Sequence, residues 1–197
     1  MSNNKGITTV VMAGGKSSRM GTDKAFVPLL GKPLIDHVLE SLSGIGQEEI
    51  IITNRPEDYE HLNRPMFQDI IPKSGPLGGL HTALVHANYP HILVTACDMP
   101  WLNRSLLEYM ISLRFSAQAI VPLWLSYPEP LHAVYSKSCL SPIEQKLTVG
   151  SFKLISFYDD IEVLYVEADD IARFDPQGRS FSNINTPDDL AQAGNKN

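Results

Sequence analysis

The chain has 197 residues, of which 43% are hydrophobic and 19% are charged, and its formal net charge is -6. These values are typical of a folded globular protein, so they exclude the disordered, fibrous and low-complexity classes. The acidic balance argues against a broad surface for nucleic acid or for an anionic membrane, because both need clustered Lys and Arg.

The start of the chain and its two cysteines predict a cytoplasmic protein. The apolar run that follows Gly6 breaks at Gly14, which is too short for a signal peptide or a membrane span. Cys97 and Cys139 lack the paired spacing of a zinc site or a redox motif, so a reducing compartment fits best. We expect one domain over residues 1–197, with no membrane contact.

The first half of the chain alternates strands with helices. Residues 7–12 are apolar on both faces, as in a buried central strand. Residues 33–42 carry apolar side chains at helical spacing, with Pro33 in the first turn and Gly44 at the stop. The pattern then predicts a strand at 50–53, a short strand near Phe67, a helix at 77–86 and a strand at 92–96.

The second half is less regular. An apolar stripe after Pro100 predicts a helix, and strands are predicted at 119–121, around 133–135 and at 163–166. Thr186 fits a helix N-cap, with Pro187 as the first helical residue and Asp189 as the capping-box partner. Strands that alternate with helices predict an α/β fold with three layers and a doubly wound, mostly parallel, Rossmann-like sheet.

The loop after the first strand has the composition of a phosphate site. Gly14 and Gly15 allow backbone N–H groups to approach an anion, and Lys16, Arg19 and Lys24 supply positive charge. The spacing excludes a P-loop, which would need glycine where Val10 stands, and the G-x-G-x-x-G dinucleotide fingerprint is absent. A flexible turn with solvated charges is the alternative interpretation.

Asp98 follows the predicted strand 92–96, at the carboxyl end where α/β sheets bind ligands. A carboxylate in that position suits Mg²⁺, which often takes one or two protein carboxylates and completes its shell with waters and phosphates. Alternatively, Asp98 caps the helix that begins near Asn103 or forms a turn with Pro100. The six histidines show no metal-ligand spacing, and none is assigned a role.

Residues 11–24, VMAGGKSSRMGTDK, resemble the LAGGxSxRMGxDK signature of the molybdenum cofactor guanylyltransferases. These enzymes belong to the nucleotide-diphospho-sugar transferase-like superfamily. The similarity continues in the same order through four later blocks, so it spans about residues 7–193. These blocks are Gly31–Leu34, Gly75–Gly79, Cys97–Pro100 and Phe181–Pro187.

The resemblance implies transfer of GMP from GTP to the terminal phosphate of molybdenum-bound molybdopterin, with release of pyrophosphate. Residues 7–100 would form the nucleotide-binding half and residues 101–193 the acceptor half. Arg19, Lys24 and Asp98 would be catalytic, and Asp98 would hold Mg²⁺. The implied nucleotide contacts are Met12, Ala13, Gly14, Gly15, Lys24, Asn54, Asp69, Gly75, Pro76, Leu77 and Asp98.

Several of these residues have a simpler interpretation when the resemblance is set aside. Asn54 and Asp69 would be turn residues, and Gly75–Gly79 would be a plain connection to a helix. Asn183 and Asn185 alternate along an extended segment and would face the cleft, although local capping of the following helix explains them equally.

The acceptor side departs from the family pattern. Relatives often carry a Gly-x-Arg-Arg segment, whereas this chain has Gly150-Ser151-Phe152-Lys153. We expect Lys153, with Asn183 and Asn185, to bind the acceptor. The family's task also implies transient contacts with molybdenum-insertion and molybdoenzyme maturation proteins.

Three other functions compete with this interpretation. Cytidylyl transfer to the same pterin, or nucleotidyl transfer to another phosphorylated acceptor, would use the same loop. A non-catalytic nucleotide-binding module would bind GTP without releasing pyrophosphate. A structural interaction protein would leave the basic glycine loop and the aspartate at a strand end unexplained.

Overall fold

A computed structural model describes residues 6–14 and 23–194 of the chain. The first half contains the elements β1 Ile7–Met12, β2 Pro28–Leu29, β3 Lys32–Pro33, α1 Leu34–Leu42, β4 Glu48–Ile52, α2 Pro56–Tyr59, β5 Met66–Phe67, α3 Gly75–His86 and β6 His91–Ala96. The second half contains α4 Arg104–Ser112, β7 Ala119–Trp124, β8 Tyr127–Pro128, β9 His132–Ser136, α5 Leu140–Thr148, β10 Val163–Val166, α6 Ala168–Ala172 and α7 Pro187–Gly194.

The main sheet has the strand order β10-β7-β9-β6-β1-β4-β5, and β8 pairs with β7 outside this path. β1 lies parallel to both β4 and β6, β4 is parallel to β5, and β10 is parallel to β7. β9 is antiparallel to β6 and to β7, between which it lies. The predicted mostly parallel sheet is confirmed, and its direction changes at β9.

Helices cover both faces of the sheet, which gives the predicted three layers. α1 and α4 pack one side of β1 and β6 into a core that includes Val38, Leu107 and Leu93. α3 and α5 pack the other side, in a core that includes Leu80 and Ile143. β6 is buried along its whole length, because a central parallel strand contacts helices on both faces.

Several details differ from the predictions, and the short elements β2, β3, β8, α2 and α6 were not predicted. Pro33 lies in β3 and caps α1 instead of occupying its first turn. α3 begins at Gly75, because Pro76 fits the first turn and the helix therefore starts earlier than the apolar pattern suggests. The sequence analysis missed α5, which presents Ile143 and Leu147 to the core.

The last helix forms as predicted. The Thr186 hydroxyl accepts the N–H of Asp189 at 3.1 Å, and the Asp189 carboxylate accepts the N–H of Thr186 at 2.8 Å. This reciprocal capping box fixes the entry to α7. None of the helices in the described ranges combines the length and the apolar character that crossing a bilayer requires.

Candidate active site

Three parallel strands bring their carboxyl ends to one edge of the sheet. β1 and β6 are paired up to Met12 and Ala96, and β1 and β4 are paired up to Met12 and Ile52. The pairing continues beyond the strands, since the N–H of Cys97 donates to the Met12 carbonyl at 3.1 Å and the N–H of Ala13 donates to the Ile52 carbonyl at 2.8 Å. The glycine loop and Asp98 therefore leave the sheet side by side.

Lys24 joins the two halves of the site. Its ammonium lies 3.5 Å from Oδ2 of Asp98 and donates to Oδ1 of Asn185, which is 161 residues away along the chain. The Lys24 and Asp98 side chains are 25% and 19% exposed, so this ion pair is partly shielded from water. Three of the predicted site residues thus form one cluster.

The segment that carries Asn185 is fixed directly to Asp98. The N–H of Ile184 donates to the Asp98 carbonyl at 2.9 Å, and the Ile184 side chain is buried. The N–H of Asn185 donates to Asp189 at 2.9 Å, within the capping arrangement of α7. Backbone capping and the contact of the Asn185 amide with Lys24 therefore coexist, while the Asn183 side chain is exposed to solvent.

Asp98 carries a charge that burial disfavours. Burial raises the pKa of this carboxyl, and the nearby Lys24 ammonium opposes the shift without cancelling it. A partly buried carboxylate whose charge is incompletely balanced in this way is a suitable ligand for a divalent cation. The alternative that Asp98 caps the helix near Asn103 is wrong, because the Asn103 side chain caps α4 by accepting the N–H of Leu106 at 3.0 Å.

The donor atoms fit Mg²⁺. The Asp98 carboxylate and the Asn185 amide oxygen are hard oxygen donors at one point of the sheet edge. Among residues 6–14 and 23–194, no group of three or more His, Cys, Asp or Glu side chains is arranged to hold a metal ion. A site with one carboxylate, completed by water and phosphate oxygens, is the arrangement that this donor set supports. Burial raises the pKa of the neighbouring Cys97 thiol to about 12, so it stays protonated.

Asn54 and Asp69 meet beside this cluster, after β4 and β5. The Asn54 amide donates to Oδ2 of Asp69 at 2.9 Å, and its oxygen accepts the N–H of Asp69 at 3.0 Å. Asn54 is exposed and Asp69 is half-buried. This reciprocal pair holds an amide and a carboxylate at the solvent side of the edge, where polar groups of a ligand are accessible to them.

The start of α3 borders the same edge. Gly75 has a φ of 61°, which favours glycine, and Gly79 packs so closely on Met12 that a side chain there would collide with it. Pro76 is exposed, whereas the Leu77 side chain is fully buried in the core. Any contact of Leu77 with a nucleotide therefore involves its backbone.

The remaining predicted site residues differ in burial, and two of them lie outside the described ranges. Ala13 is buried, and Gly14 has a φ of 128°, which marks a sharp turn at the end of β1. Gly15 and Arg19 lie outside the described residues. Lys153 is exposed, and its neighbour Phe152 lies beside Gly75, so the segment 150–153 reaches the start of α3.

The sequence analysis missed two residues that support the site. The Tyr59 hydroxyl donates to Asp23 at 2.7 Å, and the Arg55 guanidinium donates to the same carboxylate oxygen. These contacts link segments 36 and 32 residues apart in the chain. No local sequence pattern indicates the contacts of Asp23 with Tyr59 and Arg55. In the sequence, Arg55 resembles an ordinary turn residue before Pro56.

Comparison with known proteins identifies the family of the chain. A family model described as the MobA-like NTP transferase domain matches residues 9–161. The chain belongs to this family. A relative named molybdenum cofactor guanylyltransferase, from Syntrophotalea carbinolica, is 34% identical over 185 residues, which cover 93% of this chain and 88% of the relative.

Two solved structures show how far the fold extends. Molybdopterin-guanine dinucleotide biosynthesis protein A from Archaeoglobus fulgidus has a TM-score of 0.83 and 31% identity, and the match covers 95% of this chain and 97% of that protein. The 2-C-methyl-D-erythritol 4-phosphate cytidylyltransferase from Thermus thermophilus has a TM-score of 0.71 at 16% identity, covering 96% of this chain and 98% of that protein. This second similarity shows the fold alone. The predicted family and the nucleotide-diphospho-sugar transferase type of fold are confirmed.

Proposed function

We propose that the protein transfers GMP from GTP to the terminal phosphate of molybdenum-bound molybdopterin and releases pyrophosphate. The names of the relatives support this reaction. Their sequences are 31% to 34% identical to this chain over more than 90% of its length. The observation that carries the proposal is the cluster of Lys24, Asp98 and Asn185, since it brings a cation, a carboxylate and an amide to the edge where the glycine loop begins.

The chemistry asks for positioning more than for proton transfer. The acceptor phosphate is already an anionic nucleophile, so one of its oxygens forms a bond to the α-phosphorus while the bond to the β-phosphate oxygen breaks. No strong general base is needed, and negative charge shifts onto the leaving pyrophosphate. Groups that hold the phosphates in line and stabilise this charge supply the rate enhancement.

We assign these tasks to the glycine loop, Lys24 and Asp98. Lys24 would stabilise the triphosphate charge, together with Arg19 and the backbone N–H groups of the glycine loop. Asp98 would hold Mg²⁺, which neutralises phosphate charge when it is bound. Since the Asp98 carboxylate already lies beside the Lys24 ammonium, both groups are within reach of the same phosphates.

The nucleoside would lie on the side of β4 and α3. Asn54 and Asp69 offer an amide and a carboxylate to the ribose or the base, and Gly75 and Pro76 allow close backbone approach. Met12 is half-buried beneath this surface, against Gly79. The backbones of Ala13 and Leu77 would complete the contacts.

The acceptor would lie on the other side of Asp98. Asn185 contacts Lys24 and would thereby lie at the border between the two substrates, and the exposed Asn183 lies two residues before it. Lys153 would supply a cation where relatives often have arginines. We also infer that the enzyme works in the cytoplasm and contacts molybdenum-insertion and molybdoenzyme maturation proteins transiently.

A direct comparison of the four nucleoside triphosphates tests the proposal. Purified protein is incubated with each NTP, Mg²⁺ and protein-bound molybdenum-molybdopterin, and the pterin products are identified by mass spectrometry alongside pyrophosphate release. We expect molybdopterin guanine dinucleotide from GTP. Formation of the cytosine dinucleotide instead would favour the competing cytidylyl transfer. GTP binding without pyrophosphate release would indicate a non-catalytic module.

A further inference from the structure

The carboxylate of Asp23, the residue immediately before Lys24, receives three donors from the described part of the chain. Its Oδ1 accepts the N–H of Ala25 at 3.1 Å and caps the short 3-10 turn that contains Lys24. Its Oδ2 accepts the Tyr59 hydroxyl at 2.7 Å and the Arg55 guanidinium. Because the Asp23 side chain is only 9% exposed, these bonds fix its orientation.

Capping alone does not require this arrangement. An N-cap carboxylate needs one backbone donor, and Ala25 provides it. The two further donors come from α2 and the residue before it, in the segment that follows β4. Tyr59 is fully buried, so its hydroxyl is a fixed anchor, and the Arg55 contact adds a charge-assisted bond from the exposed side.

The bonds at Asp23 fix the backbone of the turn that carries the flexible Lys24 side chain. Lysine has four rotatable methylene groups, so ordering its side chain costs conformational entropy. Its ammonium reaches Asp98 and Asn185 only if the backbone of the turn is held at the right place. The bonds at Asp23 attach this turn to α2, next to Asn54 and the proposed nucleoside surface.

We propose that Asp23, Arg55 and Tyr59 are positioning residues, which hold Lys24 against Asp98 and Asn185 for the bound triphosphate. This inference rests on the proposed function of Lys24. In this role the three residues would act on the position of Lys24 and not on either substrate directly. They connect the loop after β1 with the segment after β4, so the parts of the site that bind phosphate and nucleoside keep a fixed distance.

The chain contains a matched control for Arg55. Arg64 is 43% exposed, compared with 48% for Arg55, and it also pairs with a mostly buried carboxylate, that of Glu49. Glu49 lies opposite Thr9, and both are three residues before the carboxyl ends of β4 and β1. Arg64→Gln therefore removes a similar ion pair without affecting the turn that holds Lys24.

The first measurement compares Arg55→Gln with Arg64→Gln, using the NTP that the wild-type protein uses best. We expect kcat/KM to fall on the order of tenfold for Arg55→Gln, because small displacements of a catalytic group are costly in rate. The kcat/KM of Asp23→Asn should fall by at least the same factor, whereas the kcat/KM of Arg64→Gln should equal that of the wild type. Equal losses in both arginine variants would overturn the proposal.

The second measurement asks whether Arg55 acts through Lys24. NTP affinity is determined by calorimetry for the wild type, Arg55→Gln, Lys24→Ala and the double variant, since binding stays measurable in slow enzymes. Residues that act through one another have non-additive effects, so Arg55→Gln should weaken binding in the wild type but not in Lys24→Ala. The same loss in both backgrounds would contradict the inference. A preference for CTP would refute only the proposed guanylyl transfer, because the cycle runs equally well with CTP.

Discussion

At the level of single residues, the site pairs the partly buried Asp98 carboxylate with the Lys24 ammonium. The Asp98 carboxyl has a raised pKa because burial disfavours its ionised form more than Lys24 favours it. Keeping an ionised carboxylate at this position therefore destabilises the folded protein, because its burial is only partly offset by Lys24. A cost of this kind in a strand-end residue is typical of a functional site, and a bound divalent cation would relieve it.

Asp98→Asn should separate activity from stability. We expect magnesium-dependent turnover to fall on the order of 10²–10³-fold, the loss typical of removing a preorganised charge contact. The free energy of unfolding should be maintained or rise, because the neutral amide avoids the burial cost of the carboxylate. Steady-state kinetics and urea unfolding measure the two effects.

Asp160→Asn is the matched control, since Asp160 also pairs with a lysine, Lys146, at 2.6 Å. It should retain normal turnover. Near-normal activity in Asp98→Asn, or an equal loss in both variants, would refute the role of Asp98.

The sequence predicted which strand ends carry Asp98 and the glycine loop, but only part of what surrounds them. Residues that directly follow adjacent parallel strands share an edge, so the proximity of Gly14 and Asp98 agrees with the alternating pattern. Lys24 lies twelve residues after β1, and its place beside Asp98 was expected from the family resemblance. Arg55 and Tyr59 contact Asp23 through a turn and a short helix, whose orientation depends on packing. No spacing rule reports such contacts, and the roles of Asn54 and Asp69 stay predictions.

At the level of elements, β9 is the antiparallel strand within the main strand order, where it lies between β6 and β7. Its apolar run was visible in the sequence, but strand direction depends on the connection and on the neighbours that the strand finds. β10 matched its predicted bounds, because an apolar run of four residues with clear polar flanks leaves little choice. α5 was missed although Ile143 and Leu147 have helical spacing and Pro142 suits a first turn.

The buried histidine of β9 predicts a pH-dependent stability. Burial lowers the pKa of His132 to about 4, against a smaller opposing effect of Asp175. The unfolded chain then binds the proton more readily, so stability is present above the ordinary histidine pKa and is lost as the pH falls below it. Between about pH 7.5 and about pH 5 this loss should be ~2 kcal/mol.

Urea unfolding of the wild type and His132→Leu at several pH values measures this contribution. The leucine variant should lack that part of the pH dependence, because it fills a similar buried volume without a titrating group. Parallel pH profiles for the two proteins would show that His132 contributes nothing to it.

At the level of the whole molecule, the proposed nucleotide site lies where three central strands end. A nucleotide bound at the proposed site would contact the ends of β1, β4 and β6, which form the centre of the sheet, so binding should stabilise the complete fold. The expectation of one domain over residues 1–197 stays a prediction, as does the cytoplasmic location.

Mg²⁺ and GTP together should therefore raise the melting temperature. Ligand at 100 times its Kd stabilises the folded state by about 2.7 kcal/mol, which corresponds to roughly 5–10 °C for a chain of this size. Differential scanning fluorimetry with and without Mg²⁺ measures the shift. Asp98→Asn should lose the magnesium-dependent part, whereas Glu108→Gln, an exposed carboxylate on α4, should keep it.

The contact between Lys24 and Asn185 has a consequence for the order of biosynthesis. A ribosome releases the chain from its amino end, so β1, β4 and β6 emerge while the later segments are still being translated. Asn185 leaves the exit tunnel after Asp98 and the glycine loop, because it lies 87 residues beyond Asp98 in the chain. A nascent chain that has not yet reached Asn185 therefore contains the glycine loop and Asp98 but lacks the amide that contacts Lys24.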